Sequence, residues 1–159
     1  TRMDLDLRSG KRKPNFEQEI KEIKSSIRPG KFEKDPDKRV DVFIKKKDGT
    51  EAYFDIGSPK PNMKEFVALK KKLLRWLALR LSTDKDVKII TAVALPYNPY
   101  YPKPYNRWTK GNMYDQNQLI VGEDFWNFVA GEKVYDRFIE VFKEVGEELR
   151  EKIKEIAKS

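Results

Sequence analysis

Two aspartates, Asp41 and Asp55, stand where a hairpin would bring them together. The stretch RVDVFIKKKDGTEAYFDIGSPKPN, residues 39–62, reads as two strands around a polar tip, with Asp48-Gly49 as a two-residue turn signal. Side chains alternate along a strand. Val40, Val42 and Ile44 therefore separate from Asp41 and Phe43, and Phe54 and Ile56 separate from Tyr53, Asp55 and position 57. Carboxylates on adjacent antiparallel strands can converge on one divalent ion, with the Ile56 carbonyl as a third oxygen. Such a donor set suits Mg²⁺, which keeps several waters and takes one or two carboxylates. An ion held this way polarises a phosphoryl oxygen and lowers the pKa of a bound water, the main requirements of phosphodiester hydrolysis. The plainer reading is that exposed strand faces often carry acids, and the pair alone does not separate the two.

Composition narrows the chemistry. The chain has 159 residues, the length of one ordinary domain, and no Cys or His. Thiolate metal sites, disulfides and a histidine base are excluded, leaving carboxylates, Lys, Tyr and Ser. Lys and Arg number 34 against 26 acids, a net charge of +8 that favours a polyanionic partner, nucleic acid first. A Lys/Glu-rich, Cys-free composition also fits a thermophile. No apolar run approaches about 18 residues and nothing resembles a signal peptide, so the expectation is a cytoplasmic protein without a membrane partner.

Helices must hold the hairpin in place. Residues 1–13 read as a tail ending in a basic cluster. Asn15 caps a helix over 15–28 with Phe16, Ile20, Ile23 and Ile27 on one side, closed by Pro29-Gly30. Its polar side is either simply solvated or brings Glu19 to the metal site. A long helix over 63–81 buries Phe66, Leu69, Leu73, Trp76, Leu77 and Leu81, and sets Lys64, Lys71, Lys72 and Arg75 opposite as a solvated or phosphate-contacting face. Residues 86–95, DVKIITAVAL, are expected as a central strand parallel to the second hairpin strand, with the long helix as crossover. Leu119 to Val121 reads as a short strand. Asp124 caps an aromatic helix that Gly131 ends, and a last helix over 134–157 buries Tyr135, Phe138, Ile139, Phe142, Val145 and Leu149.

Between these lies PYNPYYPKPYNRW, residues 96–108, too proline-rich for a helix or an interior strand. Its interleaved aromatic, amide and basic side chains suit nucleic-acid recognition: Arg and Lys for guanine or phosphate, Asn for adenine, Tyr for stacking. The readout candidates are Tyr97, Asn98, Tyr100, Lys103, Asn106, Arg107 and Lys110, with Lys60 and Asn62 nearer the phosphate. A loop pinned to the body by its tyrosines is the structural alternative.

Asp41, followed by Asp55-Ile56-X and SPKPN, resembles the PD-(D/E)XK nuclease motif. The strings YFDIGSPKPN, ALPYNPYYPKPYNRWT and LIVGEDFWNFVAGEKVYDRFIEVFKEVG resemble the TdeIII-type family of type II restriction endonucleases, in the same order from about Arg12 to Arg150. The resemblance implies a mixed α/β nuclease sheet flanked by helices, Mg²⁺-dependent sequence-specific cleavage of double-stranded DNA, and a homodimer paired with a methyltransferase in restriction-modification. It also implies helical chain ahead of this region, so residues 1–159 are expected to be a single C-terminal catalytic domain. Carried over, Asp41 and Asp55 are metal ligands.

Position 57 departs from the pattern: the motif has Lys and this chain has Gly57. Gly57 is an engineered replacement, a natural degeneration, or is compensated by Lys60 reaching back from the SPKPN turn. The expectation is feeble cleavage that Gly57→Lys restores. The alternatives are a non-cleaving, sequence-specific DNA-binding module on a nuclease-derived fold, and a protein-interaction domain docking through its Tyr/Pro loop.

Overall fold

A computed structural model describes residues 2–31, 39–107 and 113–156, the side chains of residues 151 and 155 excepted. The described residues divide into two compact units, residues 1–121 and 122–159.

The first unit is built on a mixed four-stranded sheet in the order β1-β2-β3-β4. Strand β1 is Val42–Lys45 and β2 is Glu51–Ile56, an antiparallel pair. Their tip is wider than the two-residue turn expected. The Lys46 carbonyl accepts from Gly49, Lys46 N–H donates to Thr50, and Gly49 takes φ +84°. This is a type I turn closed by a left-handed glycine, a common three-residue hairpin loop. The long helix α3, Met63–Thr83, carries the chain to β3, Ile89–Leu95, parallel to β2 as expected. β3 is buried along nearly its whole length because β2 and β4, Leu119–Val121, flank it. α3 starts at a capping box in which Asn62 accepts from Glu65 N–H and Glu65 accepts from Asn62 N–H.

Two further helices pack on α3. α2, Phe16–Ser26, is capped by Asn15, whose side chain accepts from Gln18 N–H. α1, Arg2–Arg8, lies where a tail was expected: Leu7 is fully buried with Phe66, Leu73 and Trp76. Met3 and Leu7 share a helical face, and the single turn of pattern that signals it is too short to separate from weak alternation.

In the second unit, α4 is Glu123–Ala130 and α5 is Tyr135–Ile156. Gly122, not Asp124, occupies the N-cap, and both acids lie in the first turn, where the helix dipole favours them. Gly131 closes α4 at φ +75°. Trp126, Phe138 and Phe142 form a ring cluster, with centroids 4.3 and 4.5 Å apart. Phe142, Val145 and Leu149 are nevertheless exposed rather than buried. An eight-residue α4 spans about 12 Å, while α5 runs about 33 Å, so α4 covers only its first turns.

Candidate active site

The register of the hairpin decides where the two aspartates go. Val42 pairs with Phe54 and Phe43 with Tyr53, so one step further Asp41 stands opposite Asp55, on the same face of the sheet. The Asp41 N–H donates to the Phe54 carbonyl at 3.2 Å, and Asp41 Oδ2 accepts from the Ile56 N–H at 3.0 Å. The two carboxyl groups are close enough that each bears on the other's protonation. The Ile56 amide holds Asp41 below the usual carboxylate range, whereas burial pushes Asp55 above it. Like charges directly opposite repel, so the pair needs a cation.

The cation comes from α3. Glu51, Tyr53, Asp55 and position 57 share the face that α3 covers. Two residues of strand advance about 6.6 Å, and four residues of helix about 6 Å. α3 runs against β2 in this register: Arg80 meets Glu51, Trp76 packs near Tyr53, Lys72 meets Asp55, and Leu69 lies beside position 57. Lys72 Nζ donates to Asp55 Oδ1 at 2.7 Å and lies 5.2 Å from the centre of the Trp76 ring. The expected solvated basic face is thus partly committed: Lys72 pairs with Asp55 and Lys71 with the buried Asp4 at 3.4 Å. At the far end, Arg80 grips Glu51 through two hydrogen bonds and draws its carboxyl down to about 2. The Lys72 contact was legible in principle, by stepping β2 in twos against α3 in fours.

Gly57 faces the helix side, as alternation predicts. A Cβ there would meet Leu95 Cδ2 and Val93 Cγ1, each at 3.0 Å, and Leu69 Cδ1 at 3.9 Å. Lys60, proposed as a compensating charge, lies 5.6 Å from the centre of the Tyr100 ring.

Glu19 is not at this site. It is fully buried with Lys70 and Gln118: Lys70 Nζ donates to both Glu19 oxygens at 2.7 and 2.8 Å and to Gln118, and Gln118 donates to Glu19 Oε2 at 2.8 Å. Neutralised by a buried lysine and fully enclosed, Glu19 belongs to this buried ion pair, which corrects the expectation that it joins the metal site. Lys70 falls beside the basic stripe, and only the tertiary fold reveals its partner.

The tyrosine-proline loop leans on the turn after β2. The Tyr105 hydroxyl donates to the Pro59 carbonyl at 3.1 Å, and Tyr105 packs on Tyr100 with ring centres 5.8 Å apart. Lys60, Tyr100 and Arg107 are thereby gathered, Arg107 Nη1 lying 3.5 Å from the Tyr100 hydroxyl. Tyr97, Lys103 and Asn106 are exposed. Asn98 accepts from Tyr100 N–H and donates to the Lys103 carbonyl, and the Asn62 side-chain oxygen caps α3. Lys110 lies outside the described residues.

An acidic cross-strand pair with a helix-borne cation on a mixed α/β sheet is chemically suited to phosphodiester hydrolysis, and the comparisons supply the class, type II restriction endonucleases. The family model for the type II restriction endonuclease HinfI matches residues 3–146, and the chain belongs to that family. It is 31% identical over 111 residues to the type II restriction enzyme HgiEI of Herpetosiphon aurantiacus, covering 68% of this chain and 40% of that protein. It is 27% identical over 119 residues to HgiCII of the same organism, with the same two shares, and 26% identical over 140 residues to MjaII of Methanocaldococcus jannaschii, covering 80% and 38%. The chain therefore spans about 40% of the length of these relatives. No solved structure matches it. No described helix is long and apolar enough to cross a membrane.

Proposed function

We propose that the chain carries the catalytic centre of a restriction endonuclease of the PD-(D/E)XK kind, cutting double-stranded DNA at a specific sequence with Mg²⁺. The observation that supports this most is the register that sets Asp41 against Asp55. Among the described residues no group of three acids or other ligand side chains surrounds a common point. The pair still fits Mg²⁺, which takes one or two carboxylates and fills its remaining positions with water. Asp41 and Asp55 would hold the ion, with the Ile56 carbonyl beside them. When bound, it would supply charge at the phosphate and a more acidic water. Asp41, fixed by the Ile56 amide, is oriented before substrate arrives, and Asp55, buried under α3, is shielded from bulk water. In the reaction, a water oxygen bonds to phosphorus while one ester oxygen leaves. The water gives up a proton and the leaving oxygen gains one.

The loop around Tyr100 and Arg107, with Lys60 and the exposed Tyr97, Lys103 and Asn106, is the surface we assign to DNA. A homodimer, a cytoplasmic location, a TdeIII-type grouping and further chain ahead of this region belong to the same reading. Supercoiled plasmid incubated with the chain and Mg²⁺ tests it. Nicking that disappears in Asp41→Asn and Asp55→Asn is the expected result. Duplex binding without any nicking would favour the non-cleaving DNA-binding module, the reading that Gly57 supports.

A further inference from the structure

We infer that Lys72, delivered from α3, supplies at the Asp41–Asp55 pair the fixed positive charge that position 57 lacks. This rests on the reading of that pair as the metal-binding carboxylates. Hydrolysis gathers negative charge at one place: two carboxylates, the phosphate and a water losing its proton. A preorganised cation there stabilises the transition state more than it stabilises bound substrate.

Lys72 is the lysine the fold prepares for this. Its ammonium is held between Asp55 Oδ1 at 2.7 Å and the Trp76 face at 5.2 Å, and its side chain is 21% exposed, so it is fixed yet open to a substrate. Trp76 is one helical turn on, so the two lie on one face of a helix anchored by buried Leu73 and Leu77. Neighbouring cations are placed otherwise. Lys70 is enclosed by Glu19 and Gln118, Lys71 turns to Asp4, and Lys60 sits over Tyr100. Arg39 reaches Asp41 at 3.3 Å, but its side chain is 86% exposed and is not held. On the strand, the space beside Gly57 is already filled by Val93 and Leu95. The helix is the open route for an amine to reach Asp55.

The same contact has a competing meaning: the ammonium could be a counter-ion that leaves when the metal arrives. Lys72→Met keeps the stem against Trp76 and removes the charge. Three readouts separate the meanings: Ca²⁺ affinity by calorimetry, duplex affinity in Ca²⁺, and plasmid nicking in Mg²⁺. If Lys72 acts beside the metal, Lys72→Met binds Ca²⁺ and duplex within about threefold of the unaltered chain while nicking falls about a hundredfold. Lys72→Arg, keeping the charge, should recover part of that loss. If Lys72 is a counter-ion, Lys72→Met binds Ca²⁺ about tenfold tighter or better and nicks as before, which overturns the inference. An unaltered chain that binds Ca²⁺ and duplex yet never nicks also overturns it, since the charge would then be present without effect. Failure to bind Ca²⁺ at all strikes the metal reading itself.

Discussion

Adding a side chain at position 57 separates two accounts of how the site is supplied with charge. The Gly57 N–H donates to the Ala94 carbonyl at 2.9 Å, and its φ lies outside the left-handed region, so the backbone accepts any residue that keeps its N–H. The obstacle is space. A Cβ would lie 3.0 Å from methyl groups of Val93 and Leu95, both fully buried, which must retreat by a few tenths of an ångström. Overpacking of this kind costs about 1–3 kcal/mol, and replacing a strand glycine returns about 0.5–1 kcal/mol. The net expected loss is about 1 kcal/mol, a fall in Tm of about 2–4 °C for a chain of this size. Gly57→Ala and Gly57→Lys share the Cβ and should share this loss in thermal unfolding. Their difference in plasmid nicking then isolates the amine. With Lys72 already on Asp55, Gly57→Lys should nick no more than about threefold faster than Gly57→Ala, where a site lacking its cation would gain about a hundredfold. A hundredfold gain would refute the assignment to Lys72 and restore the simpler expectation drawn from the motif. Equal stability of all three proteins would refute the crowding argument.

Other consequences are independent of that position. Lys70→Met leaves Glu19 buried without its cation and should cost about 3–5 kcal/mol in urea unfolding, while Lys70→Met combined with Glu19→Leu should cost less. Glu19→Gln should leave Mn²⁺ affinity unchanged, because the Glu19 carboxylate is already bonded to Lys70 and Gln118. The Glu51 carboxyl, drawn from 4.5 to about 2 by Arg80, contributes stability that is complete above about pH 4.5 and disappears as pH falls towards 2. Solvent screening at the end of α3 reduces that contribution to about 1–2 kcal/mol, so Glu51→Gln should flatten acid unfolding in this window. Arg107, whose buried Nε has no hydrogen-bond partner among the described residues, should on replacement by Ala cost about 1–3 kcal/mol of duplex binding and relax sequence preference if it reads a base. An equal loss on every sequence would make it a phosphate contact.

What the sequence disclosed follows from how local each signal is. Alternation and the Asp-Gly tip placed the hairpin. The apolar stripe of α3 and the β-branched run after it gave the crossover and the parallel pairing of β2 with β3. Asn15 and Asn62 precede helical patterns at capping positions. Side-chain partners across elements were harder. Glu19, Lys70 and Gln118 come from three separate segments, and nothing in the local pattern distinguishes their buried network from a solvated face. Amides in loops serve recognition or structure alike, and only the folded loop reveals the two hydrogen bonds Asn98 makes within it. Lys72 was visible as part of a basic face. Its contact with Asp55 required the helix and strand to be set in register.

On the proposed function, Asp41 and Asp55 together bind one divalent ion. Titration of the chain with Mn²⁺, followed by electron paramagnetic resonance of the free ion, tests it most directly. Saturable binding is expected in the unaltered chain and is lost in both Asp41→Asn and Asp55→Asn while each variant remains folded. Folded variants that bind Mn²⁺ as the unaltered chain does would contradict it.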